Sequence, residues 1–354
     1  MIQVENKQYI EDIAFENADT FLKAISYGGE LYDVFNNKYI FRGHSTTSYK
    51  LLPTAQRIQP WERMTIHKES AKRDIAIAIT ELAQIGYEYN QLFHFFKKCD
   101  ENGLYVPEVH EMREYINLPN GFPTYLLNEK VWLPEKYYEL AALAQHHGVK
   151  TRLLDWTKNI CVAVYFASSE AILKRYNLEK KTSAQWQRQY MIDYLKIVHE
   201  CADAQFKRSS PVKETDCIEL WALDKSIEFG YDDMPLKIIS PRNCDNRNLG
   251  AQKGLLSLWE TEIPAVADSK GKMTNSWFKV IADERTLDKL LTDFLLTKNE
   301  MPKKYLYHIT IPLSEAFPLY NYAIQNGCDA STLFPGYNGV VRAMAEKEAI
   351  SNKI

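Results

Sequence analysis

An α+β fold is the class this sequence predicts, and three observations predict it. Segments with the apolar spacing of long helices dominate the N-terminal half, short apolar runs of strand type cluster in the C-terminal half, and no repeat or low-complexity run breaks the pattern. At 354 residues, with 45% hydrophobic and 25% charged residues, the chain can build one large or two ordinary domains with proper cores. The formal net charge of −3 argues against a surface made chiefly to coat nucleic acid or an anionic membrane, local basic patches apart. Met1 to Lys7 lacks the basic and apolar regions of a signal peptide, and no run approaches the ~18 apolar residues of a membrane span. The expectation is a cytoplasmic protein with no membrane partner. The six cysteines, Cys99, Cys161, Cys201, Cys217, Cys244 and Cys328, form no C-x-x-C pair and have no histidine at metal-ligand spacing, which predicts buried free thiols and no metal.

In chain order, Asn17-Ala18-Asp19 opens a helix that runs through Ile25 and is closed by Gly28-Gly29. Lys38 to Phe41 reads as a short buried strand with Arg42-Gly43 at its end. A long helical region follows from about Glu62 to Lys98, where Ile75, Ile77, Ile79, Leu82, Ile85 and Tyr89 make an approximate stripe. Glu101 to Asn128 is broken by Pro107, Pro119 and Pro123. Pro134 suits a first helical position, and Leu140, Leu143, Ala144 and His147 then share one face before Gly148 ends the helix. Arg152-Leu153-Leu154 reads as a brief strand and Lys158 to Leu173 as a helix, flanking a turn at Asp155-Trp156-Thr157. From Lys174 to Lys213 the chain turns polar and helical in pattern, with Lys180, Lys181, Arg188, Lys196, Lys207 and Arg208 interleaved with Trp186, Tyr190 and Tyr194. Strands are expected at Cys217–Leu223, Leu236–Ile239, Leu255–Trp259, Trp277–Ile281 and Tyr305–Ile311, the last with Tyr305, Tyr307, Ile309 and Ile311 on one side. Helices fill Glu284 to Thr297 and Leu313 to Asn326.

Two motifs place charged and small residues where a fold gains nothing from them. Arg42 is flanked by Tyr39, Ile40 and Phe41 on one side and Gly43 on the other, so its guanidinium heads for the interior, where an unpaired charge costs several kcal/mol. A ligand or a carboxylate must meet it. The second motif is Gln145-His146-His147-Gly148-Val149-Lys150-Thr151-Arg152-Leu153-Leu154-Asp155-Trp156-Thr157.

With Ala163-Val164-Tyr165-Phe166-Ala167, Ala251-Gln252-Lys253-Gly254-Leu255 and Leu333-Phe334-Pro335, these motifs resemble the FRG-domain family over residues about 38 to 343. The resemblance divides the chain into an N-terminal helical segment, 1–37, an FRG domain, 38–343, with a helical part at 62–147 and a helical insertion at 174–213, and a C-terminal tail, 344–354. A more distant resemblance, to ADP-ribosyltransferase toxins, rests on the order of an Arg-Gly at a strand end, a hydroxyl residue before an Ala-x-x-Phe-Ala helix, and a later polar residue on a strand. It implies a split β-sheet core that binds NAD as a substrate. Arg42 would then grip a phosphate or ribose, the Gly43 backbone would clamp the nicotinamide carboxamide, and Thr157 would brace the ribose, with Trp156 or Tyr165 offering a face to the nicotinamide ring. Those enzymes use a glutamate at the third position, where this chain has Gln252. An amide holds a ribose hydroxyl but brings no charge, so a carboxylate must come from elsewhere. Asp155 is one candidate, and Glu260 of Trp259-Glu260-Thr261-Glu262 is the other.

Each residue also has a quieter reading. Arg42 and Asp155 would make a structural ion pair, and Asp155 alone suits a helix N-cap. His146 and His147 suit a helix C-terminus, where the dipole favours a protonated imidazole. Trp156, Tyr165 and Phe166 suit a core, and the basic-aromatic run Lys180 to Tyr194 suits a solvated helix.

The functional expectation is an NAD-dependent ADP-ribosyltransferase, the toxin of a bacterial toxin-antitoxin or anti-phage system, that modifies a nucleic acid such as mRNA. An antitoxin or chaperone protein would hold it in check, and the arm from Lys174 to Arg208 would stack and contact single-stranded nucleic acid. Two alternatives stand beside it: a metal-dependent nuclease using His44, His146, His147 and Asp155, and a non-enzymatic nucleotide-binding module. No Gly-x-Gly-x-x-Gly, Walker-type, His-Glu-x-x-His or Gly-x-Ser-x-Gly motif occurs, which removes support for those enzyme classes.

Overall fold

A computed structural model describes residues 9–35, 37–58, 77, 79–116, 126, 129–175, 216–244, 246–266, 279–298 and 303–351. The chain forms two compact units. The first comprises Met1–Tyr49, Asn159–Leu223 and Leu306–Ile354, and the second Lys50–Lys158 and Asp224–Tyr305. Among the described residues the strands are β1 (Ile10–Ala14), β2 (Tyr39–His44), β3 (Val131–Trp132), β4 (Leu153–Thr157), β5 (Cys217–Asp224), β6 (Leu236–Ile239), β7 (Gly254–Trp259), β8 (Thr261–Glu262) and β9 (Leu306–Pro312). Both units mix helix with strand, and the pairing is mostly antiparallel: β3 with β8, β4 with β7, β5 with β9 and β6 with β7 are antiparallel, and β1 with β9 is parallel. That mixture agrees with the α+β expectation at its coarse level.

In the first unit the strand order is β1-β9-β5-β2. Side chains alternate across each strand, so Phe41, Leu220, Ile309 and Ile311 enter a core that is closed by helices, while Arg42, Glu219 and His308 take the other face. The helix Ala18–Ile25 starts where Asn17 accepts a hydrogen bond from the Thr20 amide at 2.9 Å, and it buries Phe21, Ala24 and Ile25. A helix over residues 160–175 supplies Val164 and Tyr165 to the same core. The final helix, Tyr337–Ser351, runs through the stretch expected as a tail and buries Glu346 and Ala349.

In the second unit the order is β4-β7-β6, with Leu153 opposite Leu258 and Asp155 opposite Leu256. The helix Glu81–Glu101 starts at Thr80, whose hydroxyl accepts from the Ala83 amide at 3.2 Å, and buries Ile85, Tyr89, Phe93 and Phe96. These side chains pack with Trp132, Tyr137, Leu140 and Leu258 in a second core.

Several expectations change in detail. The turn expected at Asp155-Trp156-Thr157 is strand, because β7 offers ladder partners as far as Gly254. Asp155 therefore does not cap the following helix. Asn159 does that work, accepting from the Cys161 amide at 3.0 Å. Arg42 and Gly43 lie inside β2 and not at its end, since the strand continues to His44. Strand β1 was not expected, and of Trp277–Ile281 the described part makes one bridge, Ile281 with Thr80. Residues 62–76 of the expected long helix, 176–213 of the expected insertion, Cys201, Trp277 and Phe278 lie outside the described residues. No described helix is long and apolar enough to cross a membrane.

Candidate functional site

Strand β2 carries the first motif in the first unit. Tyr39 and Phe41 face the core, so Gly43 does too, and a Cβ there would sit 2.1 Å from the Ala163 carbonyl oxygen and 3.0 Å from the Ala167 Cβ. Glycine is required because the helix over 160–175 lies directly on the strand. The Gly43 backbone thus has a packing reason of its own, independent of a carboxamide.

Arg42 and His44 share the opposite face and open a ladder of polar side chains across all four strands. The Arg42 Nε donates to His44 Nε2 at 2.9 Å. His44 Nδ1 meets Glu219 Oε2 at 3.3 Å, Glu219 Oε1 meets His308 Nε2 at 3.0 Å, and His308 Nδ1 meets Asp12 Oδ1 at 2.8 Å. An arginine Nε is always a donor, so His44 Nε2 is the bare nitrogen and Nδ1 carries the proton that goes to Glu219. His44 is thereby a neutral imidazole. His308 sits between two carboxylates. Burial alone would push it down, and its bonds to Glu219 and Asp12 raise it above the ordinary histidine range. Burial likewise pushes the Glu219 carboxyl up, and the bonds from His308 and His44 bring it below the ordinary carboxylate range. The His308 ring also stacks on Trp221, 4.2 Å between centroids at 19°. His44 and Glu219 are 3% and 4% exposed, whereas Arg42 is half-buried.

Glu219, His308 and Asp12 were not singled out in the sequence. The signal for two of them was present: a lone charged or titratable residue inside an apolar strand run, as in Ile218-Glu219-Leu220 and Tyr307-His308-Ile309, is the same signal that marks Arg42.

The second motif belongs to the second unit. Gln145 Nε2 donates to Asp155 Oδ1 at 2.7 Å, and the Thr151 hydroxyl donates to Gln145 Oε1. Asp155 is exposed. Thr157, two residues along the same face of β4, donates its hydroxyl to the Gln252 carbonyl at 2.7 Å. Trp156 points to the other face, buried, with its indole N–H on Ser257 Oγ at 2.8 Å. Glu260 is not brought to this group. It follows the end of β7, six residues on from the Gly254 that pairs with Thr157, which at about 3.3 Å per residue is ~20 Å away. There it accepts from the Tyr138 hydroxyl at 3.4 Å, and burial raises its carboxyl against the pull of Lys237 and Tyr138.

Four other residues of the motifs have structural surroundings of their own. Arg152 is buried, bonded to Glu88 through Nε at 2.5 Å and Nη2 at 3.1 Å, to Glu81 at 3.1 Å and to Thr261 at 2.8 Å. His147 caps the helix Tyr138–His146 through its backbone and stacks on Phe95. His146 lies edge-on to it at 5.0 Å, and burial and His147 lower its pKa while Asp155 pulls it up. Tyr165 is 0% exposed, with its hydroxyl on Glu346 at 2.6 Å, so its ring is core and turns no face to a nicotinamide. Among the described residues no group of three or more His, Cys, Asp or Glu is placed to hold a metal ion.

Comparison with known proteins agrees with the first resemblance. The model of the FRG domain family matches residues 37–175, which takes in Phe41-Arg42-Gly43, the block Gln145 to Thr157 and the helix over 160–175. The pieces Ala251 to Leu255 and Leu333 to Pro335 lie beyond that match. No curated protein and no solved structure matches the chain.

Proposed function

We propose that this chain, which carries an FRG domain in residues 37–175, is an NAD-dependent ADP-ribosyltransferase with the split-sheet core those enzymes use. The observation that carries the reading is the state of Arg42. Its Nε is fixed on a neutral imidazole at 2.9 Å, so the plane of the guanidinium is set before any ligand arrives, as a bidentate grip on the diphosphate of NAD requires. In the second unit, the Thr157 hydroxyl donates to the Gln252 backbone carbonyl at 2.7 Å.

The transfer breaks the bond between the ribose carbon and the nicotinamide nitrogen. Nicotinamide leaves with the electron pair, positive charge grows on the ribose, and an acceptor oxygen or nitrogen attacks that carbon. A carboxylate beside the ribose favours the growing charge. Of the two carboxylates the sequence offers, Asp155 stands one pleat repeat, about 7 Å, from Thr157 and Glu260 ~20 Å from it, all within the second unit. We assign a nucleic acid such as mRNA as acceptor and a toxin role restrained by an antitoxin or chaperone protein, both on the strength of the family resemblance alone.

The test is incubation of the folded protein with labelled NAD and, in separate reactions, RNA, single-stranded DNA and cell lysate. Label on RNA supports the whole reading, and label on protein alone moves the acceptor. Tight NAD binding with neither label transfer nor nicotinamide release would replace the enzyme by a nucleotide-binding module.

A further inference from the structure

We propose that His44, backed by Glu219, His308 and Asp12, is the positioning residue that presets the Arg42 guanidinium for a diphosphate. The inference rests on the reading that Arg42 grips NAD. Its basis is the order of donors and acceptors along the ladder. Asp12 and Glu219 accept from the two nitrogens of His308, Glu219 accepts from His44 Nδ1, and this last bond commits the remaining lone pair of His44 to Nε2, where Arg42 Nε donates. The row crosses the first unit from β1 through β9 and β5 to β2, so the Nε contact of Arg42 is backed by side chains from the other three strands.

The chemistry explains the choice of a histidine. A carboxylate at this position would hold Arg42 as firmly but would bring a negative charge next to the place where an anionic ligand must bind. A neutral imidazole orients without that repulsion. Preorganising one planar fork saves the ligand the ordering of a long side chain, which appears as affinity.

The experiment measures the Kd of NAD by calorimetry for the wild type and for Arg42→Ala, His44→Leu, His44→Asn and His44→Gln, each checked for a wild-type melting transition. Glutamine keeps an acceptor near the Nε2 position, leucine has none, and asparagine reaches only to the Nδ1 position. The expected result is a loss of about tenfold in His44→Leu and in His44→Asn, with His44→Gln within about threefold of wild type. Should His44→Leu not fold, the pair His44→Asn and His44→Gln carries the comparison. Wild-type affinity in His44→Asn beside a loss in Arg42→Ala overturns the positioning role and leaves Arg42 as the NAD residue. Equal losses in His44→Asn and His44→Gln overturn it too, because an acceptor would then make no difference. Wild-type affinity in Arg42→Ala overturns the underlying reading instead.

Discussion

Gln145 donates to Asp155 at 2.7 Å while its own oxygen accepts from Thr151, so one amide joins the end of the helix Tyr138–His146 to the strand β4. The bridge fixes the Asp155 carboxylate on β4. Gln145→Leu removes both bonds, and because Asp155 is exposed and water replaces its lost donor, the stability cost should be modest, about 1–2 kcal/mol in urea unfolding. Gln145→Glu keeps the acceptor for Thr151 but sets two carboxylates together, so it should cost more at neutral pH than in mild acid. A pH-independent effect of Gln145→Glu would show that the two groups do not meet.

The two arginines of the motifs should respond in opposite ways. Arg152 is 3% exposed and shared by two buried carboxylates, and Arg152→Met leaves those charges uncompensated, for a loss of about 3–5 kcal/mol or failure to fold. Arg42→Ala, at a half-buried site, should shift the urea midpoint little and act on NAD chemistry instead. Circular dichroism melts of both variants check the contrast. A stable Arg152→Met would contradict a structural role for this buried ion-pair group.

The ladder also has a pH signature. His308 has its pKa raised on folding, so its contribution is complete below the ordinary value of 6.5 and fades as pH rises through the raised one. Glu219 has its pKa lowered, so its contribution is complete above 4.5 and fades as pH falls through the lowered one. Both are whole only between those two values. The stability gap between wild type and His308→Gln should therefore be largest near pH ~5.5 and shrink as pH rises above the ordinary histidine range and through the raised pKa. A gap that widens on the alkaline side would contradict a charged His308.

Tyr165 separates core from cofactor. Its hydroxyl shares Glu346 with Tyr320 and Arg342, at 2.6, 2.9 and 3.0 Å. Tyr165→Phe should cost about 1–2 kcal/mol through the one donor lost to the buried Glu346 carboxylate and leave the KM for NAD unchanged. A raised KM at unchanged stability would return the ring to the cofactor.

What the sequence disclosed and withheld follows from where the information sits. Helix Ala18–Ile25 and strand Leu236–Ile239 were legible because apolar spacing is local. Strand β1 was not, since Ile10-Glu11-Asp12-Ile13-Ala14 becomes a strand only by lying parallel to β9. The same long-range pairing turned Asp155-Trp156-Thr157 from turn to strand. At the site, Arg42 announced itself as a charge in an apolar run, to be met in the sequence reading by a ligand or a carboxylate. The structure adds a neutral histidine two residues on, whose proton is directed by residues 175 and 264 positions further along the chain, a relation no local pattern encodes.

The central claim is that Arg42 holds NAD for cleavage of its nicotinamide bond. Nicotinamide release, followed by mass spectrometry at NAD below saturation, tests it most directly in wild type and Arg42→Ala. Steady release by the wild type and a rate about 10–100-fold lower in the folded variant are expected. Equal rates in the two proteins, or no release by the wild type in the presence of RNA, single-stranded DNA and lysate, would contradict it.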